Sequence, residues 1–495
     1  MKMESIWHRT VSSKRFPVQE EELSADVAVI GGGITGILSA LLLQEAGFSV
    51  VVLERDRIGC GETGNSTAKI TSQHAGRYAQ IRQALGEEAV RRYAGAAESA
   101  IRGYREIVER YRIDCDFQIL PSYLYTCKSP ETIEAEYHAV QCSGCIRASL
   151  VSDVPLPFPV KKALLFPEQA QLHPLRFLYG VAEHLTIFER TQVIGTEKER
   201  LLTNRGVVRS RYILFACHFP FRNFPGMYFT KMHQSRTSLL ALRGAPAIGA
   251  LCFSVDPDGL TFRDFVEYRI FGGAAHRTGE VCPGGTYPTL RKEAERIFPG
   301  AEVAAMWSAQ DAMPADGLPY IGRFSRLTPN TFVATGFGKW GFSTAYTAAR
   351  LITDRLKGQE NQTDRLFAPA RISLRSIPAR LSDAGVSLRG LSETLFSRPS
   401  RPAGHLQNGE GAIVEYAGKK YAAYRDESGK RYLLSPRCPH LGCELHFNPD
   451  EKSWDCPCHG SRFSYDGKRL SGPAETDLPV LLLPSEKSST RSGTD

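Results

Sequence analysis

The chain has 495 residues, 42% of them hydrophobic and 23% charged, and its 61 Lys and Arg against 53 Asp and Glu give a net charge of +8. That length holds two to four domains with sizeable cores, and the balance excludes a disordered, collagenous or coiled-coil chain. Its best apolar runs, Ser49–Leu53 and Leu478–Pro484, fall far short of the roughly 18 residues of a membrane span, and no Lys/Arg run is interleaved with aromatics as in a nucleic-acid-binding protein.

Met1–Thr10 carries Glu4, His8 and Arg9 where a signal peptide needs an apolar stretch, so a cytoplasmic location is expected. Residues 1–23 form an N-terminal segment. Asp26–Ile30 then reads as a buried parallel strand, followed by Gly31-Gly32-Gly33-Ile34-Thr35-Gly36, a helix over Ile37–Ala46 closed by Gly47, and a second strand, Ser49–Leu53, ending at Glu54. Glu87–Arg112 is a long amphipathic helix with Ile101, Tyr104, Val108 and Tyr111 on one stripe. Leu251–Val255 and Leu260–Phe271, separated by the turn Asp256-Pro257-Asp258-Gly259, predict an antiparallel sheet inserted over about residues 218–310. Strand Thr331–Thr335 and helix Ser343–Leu356 complete a first domain over residues 24–358. Residues 359–404, rich in Arg, Ser and Pro with weak periodicity, read as a surface connector with at most one short helix. Short strands at Ala412–Tyr416, Tyr421–Arg425 and Arg431–Ser435 predict a small all-β module over residues 405–484, and the polar tail 485–495 is expected to be disordered. From His405 on there are 12 basic and 13 acidic residues, so the excess positive charge belongs to the first domain and suits anionic small molecules.

Gly31, Gly33 and Gly36 form G-x-G-x-x-G between a strand and a helix, with an acid at the end of the next strand. Gly31 permits the tight turn, Gly33 lets backbone approach a pyrophosphate at the helix N-terminus, Gly36 permits close helix–strand packing, and Glu54 accepts from a ribose diol. Together these features predict dinucleotide binding. A second G-x-G-x-x-G, Gly336-Phe337-Gly338-Lys339-Trp340-Gly341, also lies between a strand and a helix, but no strand ending in an acid follows it. It does not read as a nucleotide domain of its own.

With these motifs in place, residues 24–357 resemble the D-amino-acid-oxidase-like family of FAD-dependent oxidoreductases, which includes glycine oxidase and sarcosine oxidase. The resemblance implies FAD held by Gly31, Gly33, Ile34, Thr35 and Gly36, with Glu54 and Arg55 after the second strand. Gly61–His74, with Ser66, Thr67 and Lys69, matches the loop that contacts pyrophosphate and passes beside the flavin ring. Val193 matches the strand whose backbone contacts adenine. Gly336, Gly338, Lys339, Trp340 and Gly341 match the loop set against the flavin pyrimidine, where a helix N-terminus favours the anionic reduced ring. Ile213–His218 departs from the family's usual Ala-Thr-Gly. The catalytic candidates beside the ring are Lys339, Trp340, Lys69 and His74, with structural support for the flavin as their alternative role. His233, Arg236, Arg269 and His276, in the inserted sheet, read as packed or solvated residues before substrate ligands, and Cys142 and Cys145 as ordinary cysteines.

The boxes Cys438-Pro439-His440-Leu441-Gly442-Cys443 and Cys456-Pro457-Cys458-His459-Gly460-Ser461 give C-x-H and C-x-x-H, with their first cysteines 18 apart. Structural zinc favours C-x2-4-C with H-x3-5-H. A [2Fe-2S] cluster with two cysteines on one iron and two histidines on the other suits a pair of loops that each supply one of both. The region from about His405 to Pro484 resembles the Rieske family. That match implies Cys438 and Cys456 on one iron, His440 and His459 on the other, and a loop-bridging disulfide between Cys443 and Cys458. It implies a proline loop at Gly472-Pro473-Ala474 and a Ser461 hydroxyl bonded to a bridging sulfur. A tyrosine usual two residues later is Phe463 here, with Tyr465 shifted by two.

The implied fold is an α/β, Rossmann-like FAD-binding domain with an inserted antiparallel α+β substrate domain, plus a small all-β Rieske domain. The implied function is a FAD-dependent oxidoreductase that oxidises a small amine or amino acid and passes electrons singly through the [2Fe-2S] cluster to an acceptor protein or quinone. The alternatives are an oxygen-using oxidase whose Rieske domain only docks a partner, and a redox sensor or electron-transfer module without its own substrate.

Overall fold

The computed structural model describes residues 3–282, 284–371, 376–396, 401–402, 405–416 and 418–481; the expected disordered tail lies outside them. The chain divides into two units, Met1–His276 with Thr286–Ser382, and Arg277–Gly285 with Asp383–Asp495.

In the first unit, strands Leu23–Ile30 and Val50–Leu53 carry runs of apolar residues buried on both faces, the pattern of a parallel sheet covered on both sides. Their sheet runs Tyr320–Ser325, Thr328–Thr335, Gly206–Phe215, Leu23–Ile30, Val50–Leu53, Ile187–Phe188. All its pairings along this order are parallel except that of the edge strand Tyr320–Ser325. Leu23–Ile30 is followed in sequence by its neighbour on one side, while its neighbour on the other side comes much later. The Gly-rich turn therefore sits at the topological switch point of an open α/β sheet, where such sheets bind ligands. Helix Ile34–Glu45 starts directly from that turn and is buried from Ile34 to Leu43.

The second sheet of this unit has nine strands and draws on more of the chain than the expected insertion. Glu302–Pro314, Met232–Arg243, Tyr268–Arg277, Thr261–Phe265 and Leu251–Ser254 continue through Gln118–Thr126 and Lys162–Gln171 to Lys69–Ile70, with Ser149–Val151 paired off that path. The run expected as one strand over Leu260–Phe271 is a hairpin, with Phe265 opposite Tyr268.

The second unit holds two four-stranded sheets, one of Arg401–Pro402, Gly411–Tyr416, Lys419–Arg425 and Arg431–Leu434, the other of His446–Asn448, Ser453–Asp455, Arg462–Ser464 and Arg469–Ser471. Leu434, Leu445, Trp454, Phe463 and Leu478 form its core with Cys438, Cys443, Cys456 and Cys458. The expected connector is a correction: it contains the short helix Asp364–Phe367 and a twenty-residue helix, Ile377–Phe396. That helix begins Ile377-Pro378, a proline placement suited to a first turn. Gly385 and Gly390 inside it lower its propensity and hide it from periodicity. Among the described residues no helix is long and apolar enough to cross a membrane.

Candidate functional site

Close packing around the Gly-rich turn requires glycine at both its ends. A Cβ on Gly36 would stand 1.9 Å from the Gly31 carbonyl oxygen, and one on Gly31 2.7 Å from the Ala216 carbonyl oxygen. At Gly33 a Cβ would stand 3.2 Å from Thr63 Oγ1, its one neighbour within 4 Å, so apart from that close approach the backbone is uncovered where the helix begins. Ile34 and Thr35 are buried in the first turn of that helix, and Thr63 Oγ1 accepts from Ile34 N at 2.9 Å. Thr63 was not singled out in the sequence, though it lies inside the loop Gly61–His74. Glu54 accepts from Gly32 N at 2.7 Å and from Asp56 N at 2.8 Å. Burial pushes its carboxyl up, against those two N–H groups. Each oxygen keeps a lone pair for a ribose hydroxyl. Arg55 is ion-paired with Asp56, Val193 is buried at the start of its strand, and Ser66 Oγ ties the loop by donating to Thr63 O at 3.0 Å. The Thr67 carbonyl accepts from the buried Arg263.

The second Gly-rich loop turns through three left-handed residues, Gly336 (φ 73°), Gly338 (φ 55°) and Lys339 (φ 78°), and Gly338 N donates to Ala312 O at 3.0 Å. The non-glycine Lys339 in that region is the kind of backbone cost found at functional sites. Its side chain is exposed and its Nζ reaches Thr237 Oγ1 at 3.4 Å. Trp340 and Gly341 begin helix Gly341–Leu356, and a Cβ on Gly341 would meet nothing within 4 Å.

Three of the catalytic candidates converge beside this loop. Trp340 stacks on His74 at 4.8 Å and packs on Phe253 at 5.0 Å, and Lys69 Nζ lies 3.7 Å from the centre of the Phe253 ring. His74 Nε2 lies 2.7 Å from the Thr71 carbonyl, which can only accept, so Nε2 carries the proton and Nδ1 accepts from Tyr93 Oη at 2.7 Å. Burial pushes the His74 imidazole down to about 3 and the Lys69 amine well below its ordinary value. His74 is therefore uncharged at neutral pH, and Lys69 is held by Thr261 Oγ1 and the Cys252 carbonyl. Phe253, Tyr93 and Asp311 were missed. The signal for Asp311 was an acid inside the mostly apolar strand Glu302–Pro314; burial pushes it up to about 6, with Lys339 opposing.

The inserted-sheet candidates separate. Arg269 is structural, ion-paired with Asp264 at 3.2 Å and donating to the Pro246 and Tyr268 carbonyls. Arg236 is buried and bonds Ser308 Oγ. His276 Nδ1 faces the Ala274 carbonyl at 3.0 Å. Cys142 and Cys145 are free thiols raised by burial.

In the second unit the two boxes form facing loops. Cys438 N donates to Cys443 O at 2.9 Å and Gly442 N to Cys438 O at 2.9 Å; Cys456 N donates to Ser461 O at 2.8 Å and Gly460 N to Cys456 O at 3.0 Å. Cys443 and Cys458 are joined in a disulfide. The sulfurs of Cys443, Cys456 and Cys458 lie within 4.8 Å of one another, but a disulfide offers no thiolate to a metal. The thiols left are Cys438 and Cys456, both buried and hydrogen-bonded to each other. The His440 and His459 rings face each other edge-on at 5.0 Å, with both Nδ1 atoms buried. Two thiols and two imidazoles gathered between two loops suit a [2Fe-2S] cluster of mixed ligation. Ser461 Oγ accepts from Ala474 N at 2.9 Å and bonds Cys438. Tyr465 packs instead on Tyr424 at 4.9 Å and Tyr432 at 5.3 Å. The sequence reading missed Arg277, Asp383 and Gly390, which all group with this unit.

Residues 26–355 match the family of FAD dependent oxidoreductases, and residues 399–482 match the Rieske [2Fe-2S] domain. The Rieske 2Fe-2S iron-sulfur protein YhfW of Bacillus subtilis is 34% identical over 500 aligned residues, covering 97% of this chain and 98% of its own. The gamma-glutamylputrescine oxidoreductase of Escherichia coli is 25% identical, covering 70% of this chain and 87% of its own. Among solved structures, glycine oxidase from Geobacillus kaustophilus superimposes with a TM-score of 0.58 at 17% identity, over 71% of this chain and 99% of its own.

Proposed function

Because the chain belongs to the FAD dependent oxidoreductase family and carries a Rieske [2Fe-2S] domain, we propose that it oxidises a small amine or amino acid and passes the electrons one at a time to an external acceptor, a protein or a quinone. The observation that carries this reading is the presence, on one chain, of a glycine cradle with Glu54 and of the paired boxes Cys438/His440 and Cys456/His459. Relatives named for gamma-glutamylputrescine and glycine support a small amine or amino acid as substrate. Bound FAD supplies acceptance of an electron pair, and the cluster supplies one-electron transfer.

The chain's own residues then have defined work. Gly31–Gly36 and the N-terminus of helix Ile34–Glu45 hold the pyrophosphate, while Glu54 accepts from the ribose. Trp340, His74, Phe253 and Lys69 form a wall that orients the substrate and excludes water. The uncharged His74 places no cation against an amine, which must itself be neutral to lose a hydride and become an iminium. Cys438 and Cys456 ligate one iron, and His440 and His459 the other.

Anaerobic addition of an amine and amino-acid panel, with flavin absorbance and EPR read from one sample, tests the proposal. A substrate should bleach the flavin and bring up a reduced Rieske signal. His440→Ala should abolish that signal and leave FAD bound; an unchanged signal would sink the ligand assignment.

A further inference from the structure

Nine residues inside the span that matches the FAD dependent oxidoreductases, Arg277–Gly285, group with the cluster's unit. Arg277 is the last residue of strand Tyr268–Arg277. Its side chain is only 12% exposed, as is that of its partner Asp383, whose Oδ1 lies 2.6 Å from one guanidinium nitrogen. The other two nitrogens donate to the carbonyls of Pro457, at 3.0 Å, and Cys458, at 3.3 Å. Two residues further on, Gly279 runs so close to the same turn that a Cβ would stand 2.5 Å from Pro457 N and 2.8 Å from the Cys456 carbonyl carbon. The Gly279 carbonyl is 2.7 Å from His446 Nδ1. A segment remote in sequence thus grips the turn Cys456–Gly460 at three points and the neighbouring His446 at a fourth.

The two carbonyls that Arg277 holds have a particular significance. In a planar peptide the C=O of one residue and the N–H of the next belong to one rigid group. The Pro457 carbonyl and the Cys458 N–H are one such group, and the Cys458 carbonyl and the His459 N–H are the next. Those two N–H groups donate to the Cys456 sulfur. Arg277 therefore grasps, from the far end, both peptides that point at a cluster sulfur. A cation on their carbonyls polarises them and strengthens the N–H donors.

We propose that Arg277 is a positioning residue for the cluster, which, pinned by Asp383, orients and polarises the two peptides that donate to Cys456 and so raises the cluster's reduction potential. The reasoning is that stronger N–H donation to sulfur, together with a nearby positive charge, favours the reduced cluster, which is the more negative state. This rests on the ligand assignment proposed above. Lysine would not substitute fully, because it keeps the charge but loses the planar fork that reaches two carbonyls and a carboxylate together.

The test is an EPR-monitored redox titration of the full-length holoprotein, with the flavin midpoint as internal reference. Arg277→Gln should keep a Rieske spectrum and lower the cluster midpoint, weakening one-electron reduction by about threefold or more, on a scale of about 59 mV per tenfold. Arg277→Lys should fall between. Asp383→Asn leaves the guanidinium charge uncompensated and should raise the midpoint, whereas a merely structural pair would move both variants the same way. An Arg277→Gln midpoint equal to the parent's, or a lowered midpoint in Asp383→Asn, overturns the proposal. Should Arg277→Gln fail to hold a cluster, Asp383→Asn decides alone: a rise supports the proposal, and no change or a fall overturns it. A parent protein without a Rieske spectrum would instead refute the cluster assignment itself.

Discussion

Removing the Ser461 hydroxyl separates the electrostatic role of the second loop from its structural one. Ser461 is fully buried, and its Oγ accepts from Ala474 N at 2.9 Å. A hydroxyl that accepts one bond still has its single proton to give, and here the acceptor is the Cys438 sulfur. Reduction adds one negative charge to the cluster, so this donor stabilises the reduced state more than the oxidised one. A hydrogen bond to a charged group contributes about 1.5–3 kcal/mol. If about half of that distinguishes the two oxidation states, Ser461→Ala lowers the midpoint by about 40 mV, since a tenfold change in a one-electron equilibrium is about 59 mV. The same substitution strips the buried Ala474 N–H of its acceptor, at about 1–3 kcal/mol of stability. Potentiometric titration followed by EPR, with thermal unfolding on the same preparation, reads both effects. A loss of stability with an unchanged or raised midpoint would refute the reasoning, because the hydroxyl would then serve Ala474 alone.

Three further outcomes are expected. Phe463→Tyr should raise the midpoint by some tens of millivolts, because Phe463 is fully buried in the core that contains Cys438 and Cys456, and a phenol there adds a donor; voltammetry showing no rise would mean the ring edge does not face the cluster. Gly390→Ala should destabilise the cluster's unit by about 1–3 kcal/mol, since the new Cβ would stand 2.8 Å from Cys458 Sγ; cluster absorbance should be lost at lower denaturant than in the parent, and an unchanged midpoint would rule out the clash. Glu136 accepts from Tyr78 N at 3.1 Å and Ala79 N at 2.7 Å, and burial pushes its carboxyl up to about 7. Below the ordinary carboxylate range both folded and unfolded chains hold its proton; as pH rises towards 7 the unfolded chain releases it first, so this group costs stability at higher pH. Glu136→Gln should therefore become less destabilising, or more stabilising, by about 3 kcal/mol between about pH 5 and pH 8, and chemical denaturation at the two pH values showing no such difference would refute the assignment.

The amino-acid sequence alone determined the parts whose chemistry is contiguous. A strand, a glycine turn, a helix start and an acid on the next strand fit in about thirty residues, and each cysteine–histidine box lies in six, so turn chemistry announced a dinucleotide, which the family resemblance made FAD, and ligand spacing announced an iron–sulfur cluster. The same short-range reading failed wherever the partner lies far along the chain. Lys69 stands at one end of a nine-stranded sheet that combines residues 69–171 with 232–314, because strand pairing is settled by which apolar faces can be buried together, not by local periodicity. Helix Ile377–Phe396 escaped notice because its glycines weaken propensity, yet Gly390 is what allows the helix to lie against the Cys443–Cys458 disulfide. Arg277 read as an ordinary charge at a strand end. Its carboxylate is 106 residues away and the carbonyls it holds are 180 and 181 residues away, and only the folded chain brings a buried guanidinium to the acceptors that its burial demands.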